Sequence, residues 1–99
     1  MNQETPMNHD PLADLLIERG KTYGPFVDLA EIAQVLKDEI RAHIVKRKTD
    51  LSFDQQEALD MMCTKIARIV NGDPNHIDDW DDIAGFARLV ADRLRGVVR

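Results

Sequence analysis

Apolar residues recur at helical spacing along most of this 99-residue chain. The clearest example lies between Phe26 and Ile44, where apolar positions three or four residues apart would share one side of a helix. These positions are Phe26, Leu29, Ala30, Ala33, Leu36, Ile40 and Ile44. No stretch alternates apolar and polar residues as a half-buried strand does. The pattern therefore predicts an all-α protein.

Residues that start and stop helices divide the chain into four predicted helices. Asp10, Ser52 and Asp78 are predicted N-caps, because such side chains accept hydrogen bonds from the first helical amides. The predicted helices run from Pro11 to Gly20, from Phe26 to about Lys46, from Ser52 to about Val70, and from Asp78 to about Arg95. Residues 1–10 carry no helical pattern and are expected to be flexible, so residues 11–99 form one small all-α domain.

Composition excludes several classes of protein. Thirteen basic and eighteen acidic residues give a net charge of −5, which disfavours a general binder of nucleic acid or anionic membranes. No apolar run approaches the ~20 residues of a membrane span, and the N-terminus lacks a signal-peptide core, so a soluble, cytoplasmic protein is expected.

The single cysteine, Cys63, cannot form an intramolecular disulfide and is expected in the core. A chain of this size buries only about 60–65% of its unfolded surface, so oligomerisation is expected to complete the bundle.

Four acidic residues form two pairs with helical spacing: Glu57 with Asp60, and Asp79 with Asp82. Residues three apart are neighbours on a helix, so each pair can direct both carboxylates to one point. Converging carboxylates repel one another unless cations such as Mg²⁺ or Mn²⁺ lie between them. The second pair extends an apolar face formed by Ile83, Phe86 and Val90, with Leu89 and Leu94 beside it. The two pairs are therefore candidate metal ligands.

Each pair also has an explanation that needs no metal. Asp79 is expected in the first turn of its helix, where the macrodipole favours a carboxylate by about 0.3–1 kcal/mol. Glu57 lies nearly opposite the predicted core face of its helix and Asp60 only flanks that face, so both can be ligands only if another helix or subunit covers them. That core face is Leu59, Met62, Cys63, Ile66, Ile69 and Val70, and the solvent side of the last helix is Asp78, Asp81, Arg88 and Asp92.

Basic and aromatic residues near these pairs are candidates for substrate binding. Arg68 shares the predicted face of the first acidic pair, so it can hold a phosphate beside a metal or form a structural ion pair. Lys65 is expected at the edge of the same helix. Tyr23 and Trp80 can offer aromatic platforms to a base, although packing beside a turn is the commoner role of such residues.

Three stretches carry a resemblance to a known family. The run from Glu57 to Ile69 resembles the acidic motif of the all-α nucleoside triphosphate pyrophosphohydrolases of the MazG type. It also resembles small phage and prophage proteins related to them, as do the run from Asp78 to Ala87 and the run from Arg19 to Phe26. The similarity extends from about residue 12 to residue 95. Three of the four motif acids are Asp, and Gln56 stands where the first motif often has a second Glu.

The resemblance implies hydrolysis of an NTP or dNTP to the monophosphate and pyrophosphate. Glu57, Asp60, Asp79 and Asp82 would hold Mg²⁺ or Mn²⁺ as the catalytic set, while Arg68 and Lys65 would neutralise phosphate charge. Members of this family generally form dimers or tetramers, so a homodimer or homotetramer is expected. Two alternatives remain open: a catalytically silent relative that binds a nucleotide or a metal, and a phage-type helical protein that regulates a partner.

Overall fold

The structure, a computed structural model, describes residues 9–99. Residues 1–8, which make up most of the segment expected to be flexible, lie outside the described part. The described residues form four helices and no strand: α1 (Pro11–Tyr23), α2 (Phe26–Arg47), α3 (Phe53–Asn71) and α4 (Ile77–Leu94). The prediction of an all-α protein with about four helices is therefore confirmed. None of these helices has the length and apolar character needed to cross a bilayer.

Helix α1 begins as predicted but ends later. The carboxylate of Asp10 accepts hydrogen bonds from the amides of Leu12 and Ala13 at 3.1 and 3.2 Å, which confirms its capping role. The predicted end at Gly20 is wrong, because the helix continues to Tyr23. A glycine inside a helix costs only about 0.5–1 kcal/mol. The chain leaves the helix at Gly24, whose φ of 76° lies in the region that favours glycine.

Helix α3 is the centre of the domain, with α2 packed on one side and α4 on the other. The ion pairs Asp54–Arg93 and Lys65–Asp82 show that α3 and α4 run antiparallel. The buried apolar core consists of Leu29, Ala33, Ala58, Cys63 and Ala67. Four of these five side chains are small, so the helices approach one another closely.

The central position of α3 changes which of its residues are buried. Ile66 and Val70, both assigned to the core face, are exposed, and Val70 retains 68% of its accessible surface. Lys65, expected at the helix edge, is buried instead because α4 covers it. Cys63 is buried as predicted, and burial together with the nearby Asp60 carboxylate raises the pKa of its thiol.

The N-terminus of α4 is formed differently from the prediction. His76, not Asp78, is the capping residue, so Asp78 lies within the first turn. The preceding loop fixes this start, because the backbone amide of His76 donates to the carbonyl of Asp73 at 3.2 Å. The indole N–H of Trp80 donates to the carbonyl of Pro74 at 2.9 Å, which ties the first turn back to the same loop. Near the other end, Gly96 with a φ of 90° lies just past the helix, as predicted.

The turn between α1 and α2 is fastened to the end of α3. The side-chain amide of Asn71 donates to the carbonyls of Tyr23 and Pro25 at 2.9 and 3.0 Å. The amide of Asp73 donates to the carbonyl of Thr22 at 2.7 Å. A Cβ at Gly72 would overlap the backbone of Thr22 and Tyr23, so only glycine permits this approach. These contacts place the C-terminal end of α1 beside the last turn of α3.

Candidate functional site

Asp79 is the most unusual side chain in the described chain. Asp79 is 1% exposed, and its Oδ2 atom has no hydrogen-bond partner within residues 9–99. Its place in the first turn of α4 gives it the favourable helix dipole, but a buried carboxylate oxygen without a partner is costly. The prediction that Asp79 points inward is confirmed.

Asp82, one turn further along α4, forms an ion pair across the helix interface. Its Oδ2 lies 2.9 Å from the Nζ of Lys65, whose side chain is nearly buried while that of Asp82 is half-exposed. The pair joins α3 to α4 close to the buried Asp79. An ammonium group therefore already neutralises one of the two predicted metal ligands of α4.

The first acidic pair lies elsewhere on α3. Asp60 faces α2, where its Oδ1 lies 3.7 Å from a guanidinium nitrogen of Arg41. Glu57 lines an open cavity of about 340 Å³, and α4 residues, including Phe86 and Val90, and the C-terminal segment line it as well. Within residues 9–99, no group of three or more His, Cys, Asp or Glu side chains is close enough to hold a metal ion. A single chain therefore divides the four predicted ligands among three surroundings.

Arg68 and Tyr23 meet in a second cavity, of about 520 Å³. The guanidinium carbon of Arg68 lies 4.6 Å from the centre of the Tyr23 ring, and that of Arg19 lies 5.2 Å from the same ring. Both distances suit cation–π contacts. The walls come from α1, the turn after it, α2 and α3, and no residue of α4 lines the cavity. The structure therefore brings two predicted substrate-binding residues together but separates them from Glu57.

Sequence reasoning missed Arg19 as a site residue. Arg19 and Tyr23 are four residues apart and therefore neighbours on one helix, which is the signal that predicts their contact. That Arg68 approaches the same Tyr23 ring as Arg19 cannot be predicted from residue spacing, because the two arginines lie on different helices.

His76 links this cavity to the start of α4. The Tyr23 hydroxyl lies 3.4 Å from the Nε2 of His76, and the two rings meet edge to face with centroids 5.6 Å apart. The same Nε2 lies 3.8 Å from a carboxylate oxygen of Asp78. Trp80, the other predicted aromatic platform, is half-exposed and lines neither of the two cavities described above.

The family described as a domain of unknown function, DUF6378, matches residues 12–94. No curated protein and no solved structure matches the chain.

Proposed function

The chain belongs to the DUF6378 family, and we propose that it is a metal-dependent nucleoside triphosphate pyrophosphohydrolase that releases a nucleoside monophosphate and pyrophosphate. The observation that carries the proposal is the buried carboxylate of Asp79, whose Oδ2 has no partner among the described residues. Such an oxygen is a ligand that Mg²⁺ or Mn²⁺ prefers, and a cation would compensate the cost of burying it. The resemblance of the acidic motifs to the MazG-type enzymes supports the same chemistry.

Asp79 and Asp82 would hold the metal from one face of α4. Lys65 would then release Asp82 and turn its ammonium toward the phosphates. Glu57 and Asp60 lie on other sides of α3, so a full ligand set requires a shift of α3 or carboxylates from a second copy of the chain. For this reason the proposal includes a homodimer or homotetramer.

The metal and the chain's own residues would each have a separate role in the reaction. The bound metal would activate a water for attack on phosphorus and stabilise the pyrophosphate leaving group. Lys65 and Arg68 would neutralise the charge that develops on the phosphate oxygens. Tyr23 and Trp80 are the candidate surfaces for stacking on the base.

The test is an assay of pyrophosphate release from a panel of NTPs and dNTPs with Mg²⁺ or Mn²⁺. We expect release from at least one nucleotide by the wild type and none by Asp79→Asn. Folding of both proteins is checked by circular dichroism. A folded wild type that releases no pyrophosphate from any nucleotide would reject the proposal.

A second candidate function is a binding module without hydrolysis. The contact that favours it is the 2.9 Å ion pair between Lys65 and Asp82, because it supplies a protein cation where the enzyme would need a metal. Such a protein would bind nucleotide without releasing pyrophosphate, whereas the enzyme would do both.

A further inference from the structure

We infer that the cavity between α1 and α3 is an anion site that binds the phosphate group of a small organophosphate between Arg19 and Arg68. This site shares Arg68 and Tyr23 with the proposed hydrolase and adds Arg19, but it needs neither Asp79 nor a metal. Its walls contain no residue of α4, the helix that carries the unpaired carboxylate.

The charges around the cavity point to an anion. Arg19 and Arg68 approach the same Tyr23 ring, at 5.2 and 4.6 Å. Among residues 9–99, no carboxylate lies within ion-pair distance of either guanidinium group. By contrast, five arginines are each ion-paired with an aspartate: Arg41, Arg88, Arg93, Arg95 and Arg99. Two like charges held on one ring repel, so an anion shared between them gains from both.

The shape and walls of the cavity favour an organic molecule over a bare ion. Its volume of about 520 Å³ falls within the range of small-molecule sites. Leu16, Phe26 and Leu29 supply apolar walls, and Thr64 also lines the cavity. A phosphate ester suits this arrangement, because its charged group can lie between the guanidinium groups while its apolar body contacts the walls.

Binding would also fasten α1 to the rest of the domain. No residue of α1 is buried, so little packing holds the helix along its length. Arg19 belongs to α1 and Arg68 to α3, so an anion between them bridges the two helices. We therefore expect ligand binding to slow hydrogen exchange of α1 amides, whereas an anion held at another surface would leave α1 unchanged.

The experiment measures binding by isothermal titration calorimetry in EDTA, so that no divalent cation takes part. The probes are phenyl phosphate, dAMP, inorganic phosphate and phenol. We expect at least one of the two organophosphates to bind and phenol not to bind. Inorganic phosphate should bind at least about tenfold more weakly, because it makes no apolar contact. The tighter of the two organophosphates shows whether the walls take a nucleoside or a smaller aromatic body.

Matched variants test the two arginines. Arg19→Gln and Arg68→Gln should each weaken binding by about 10- to 100-fold, as expected for the loss of one charged hydrogen bond. Arg47→Gln removes the same charge from an exposed position at the end of α2 and should leave binding unchanged. Circular dichroism checks that each variant keeps its helices.

Three outcomes would overturn the inference: no probe binds, inorganic phosphate binds as tightly as the organophosphates, or Arg19→Gln and Arg68→Gln bind like the wild type. The result is independent of the hydrolase test. Binding in EDTA without any pyrophosphate release would uphold the anion site and reject the enzyme. Pyrophosphate release without binding in EDTA would do the reverse.

Discussion

Two buried aspartates of α4, Asp79 and Asp92, differ in whether their carboxylate oxygens have hydrogen-bond partners. Asp79 and Asp92 are 1% and 3% exposed. Asp92 was expected on the solvent side, but hydrogen bonds from Arg99, Arg88 and Arg95 cover it at 2.7 to 3.3 Å. The hydrogen bonds from Arg99, and then from Arg88, lower the pKa of Asp92. The Oδ2 of Asp79 has no such partner within the described chain, which makes Asp79 the better candidate for a cation ligand.

Mg²⁺ or Mn²⁺ should therefore raise the Tm of the wild type, because a ligand that binds only the folded state stabilises it. Asp79→Asn should abolish this rise, and its metal-free Tm should equal or exceed that of the wild type, since a neutral amide costs less to bury than a carboxylate. Asp92→Asn is the matched control. It should lower the Tm, through loss of its arginine contacts, and keep the metal response. Thermal melts with and without metal provide the measurement, and an Asp79→Asn protein that still responds to metal would exclude Asp79 as a ligand.

Arg68 is the residue at which binding and catalysis can be separated. If it contacts phosphate during hydrolysis, Arg68→Ala should cost about 2–4 kcal/mol of transition-state stabilisation, measured as kcat/KM with the best nucleotide. Arg47→Ala is the control for loss of charge. Equal kcat/KM for wild type and Arg68→Ala, per folded molecule, would leave Arg68 with no part in the hydrolytic reaction.

At the scale of the helices, α3 and α4 are joined by ion pairs near both ends. Lys65 pairs with Asp82 near one end, and Arg93 pairs with Asp54 near the other, with Nη2 2.8 Å from Oδ1. Arg93 also donates to the hydroxyl of Ser52 at 2.7 Å, next to the hydrogen bond from the Ser52 amide to the Gln55 side chain. The hydrogen bonds from Arg93, and then from Ser52, hold the pKa of Asp54 far below its usual range.

Acid should weaken the Asp54–Arg93 ion pair and so lower the free energy of unfolding. A carboxyl whose pKa is lower in the folded state stabilises the fold above its unfolded pKa of about 3.9, and the gain is lost as the pH falls toward the folded pKa. Urea unfolding at several pH values between about 6 and 2 should show the free energy of unfolding falling below about pH 4. Arg93→Gln should reduce this dependence, whereas Arg47→Gln should not. Identical pH profiles for wild type and Arg93→Gln would mean that the Asp54–Arg93 pair contributes nothing.

At the scale of the whole molecule, the domain is long and leaves much apolar surface exposed. Its radius of gyration is 18.4 Å and its extents are 65 × 30 × 24 Å, whereas a compact domain of this length has a radius of gyration near 13 Å. Helix α1 has no buried residue, and its apolar side chains Leu12, Leu15 and Ile17 are each more than half exposed. This exposed surface, together with the separation of the four acids in one chain, supports the proposed homodimer or homotetramer. We expect a second copy to cover α1.

Light scattering at tens of micromolar should therefore give a dimer or tetramer of the 11.3 kDa chain. The double variant Leu12→Glu with Leu15→Glu should shift the mass toward the monomer, because it places charge on the surface to be buried. Val45→Glu, on an exposed apolar residue near the end of α2, should not. A wild type of monomer mass would contradict the assembly.

The sequence by itself determined the local features of this protein. Helical periodicity gave four helices and an all-α fold, because the spacing of apolar residues reflects the period of the helix that they form. Capping chemistry gave the starts at Asp10 and Ser52. Periodicity also placed Asp79 inward and Cys63 in the core, since each continues an apolar face of its own helix.

Only the tertiary structure decided which helix faces meet. A helical wheel of α3 alone predicts one core face, whereas the folded helix is covered on two sides. Lys65 is therefore buried against Asp82, while Ile66 is exposed. The approach of Arg19 and Arg68 to the same Tyr23 ring depends on how α1 packs against α3. Such contacts join residues far apart in the chain, and the spacing within one helix carries no information about them.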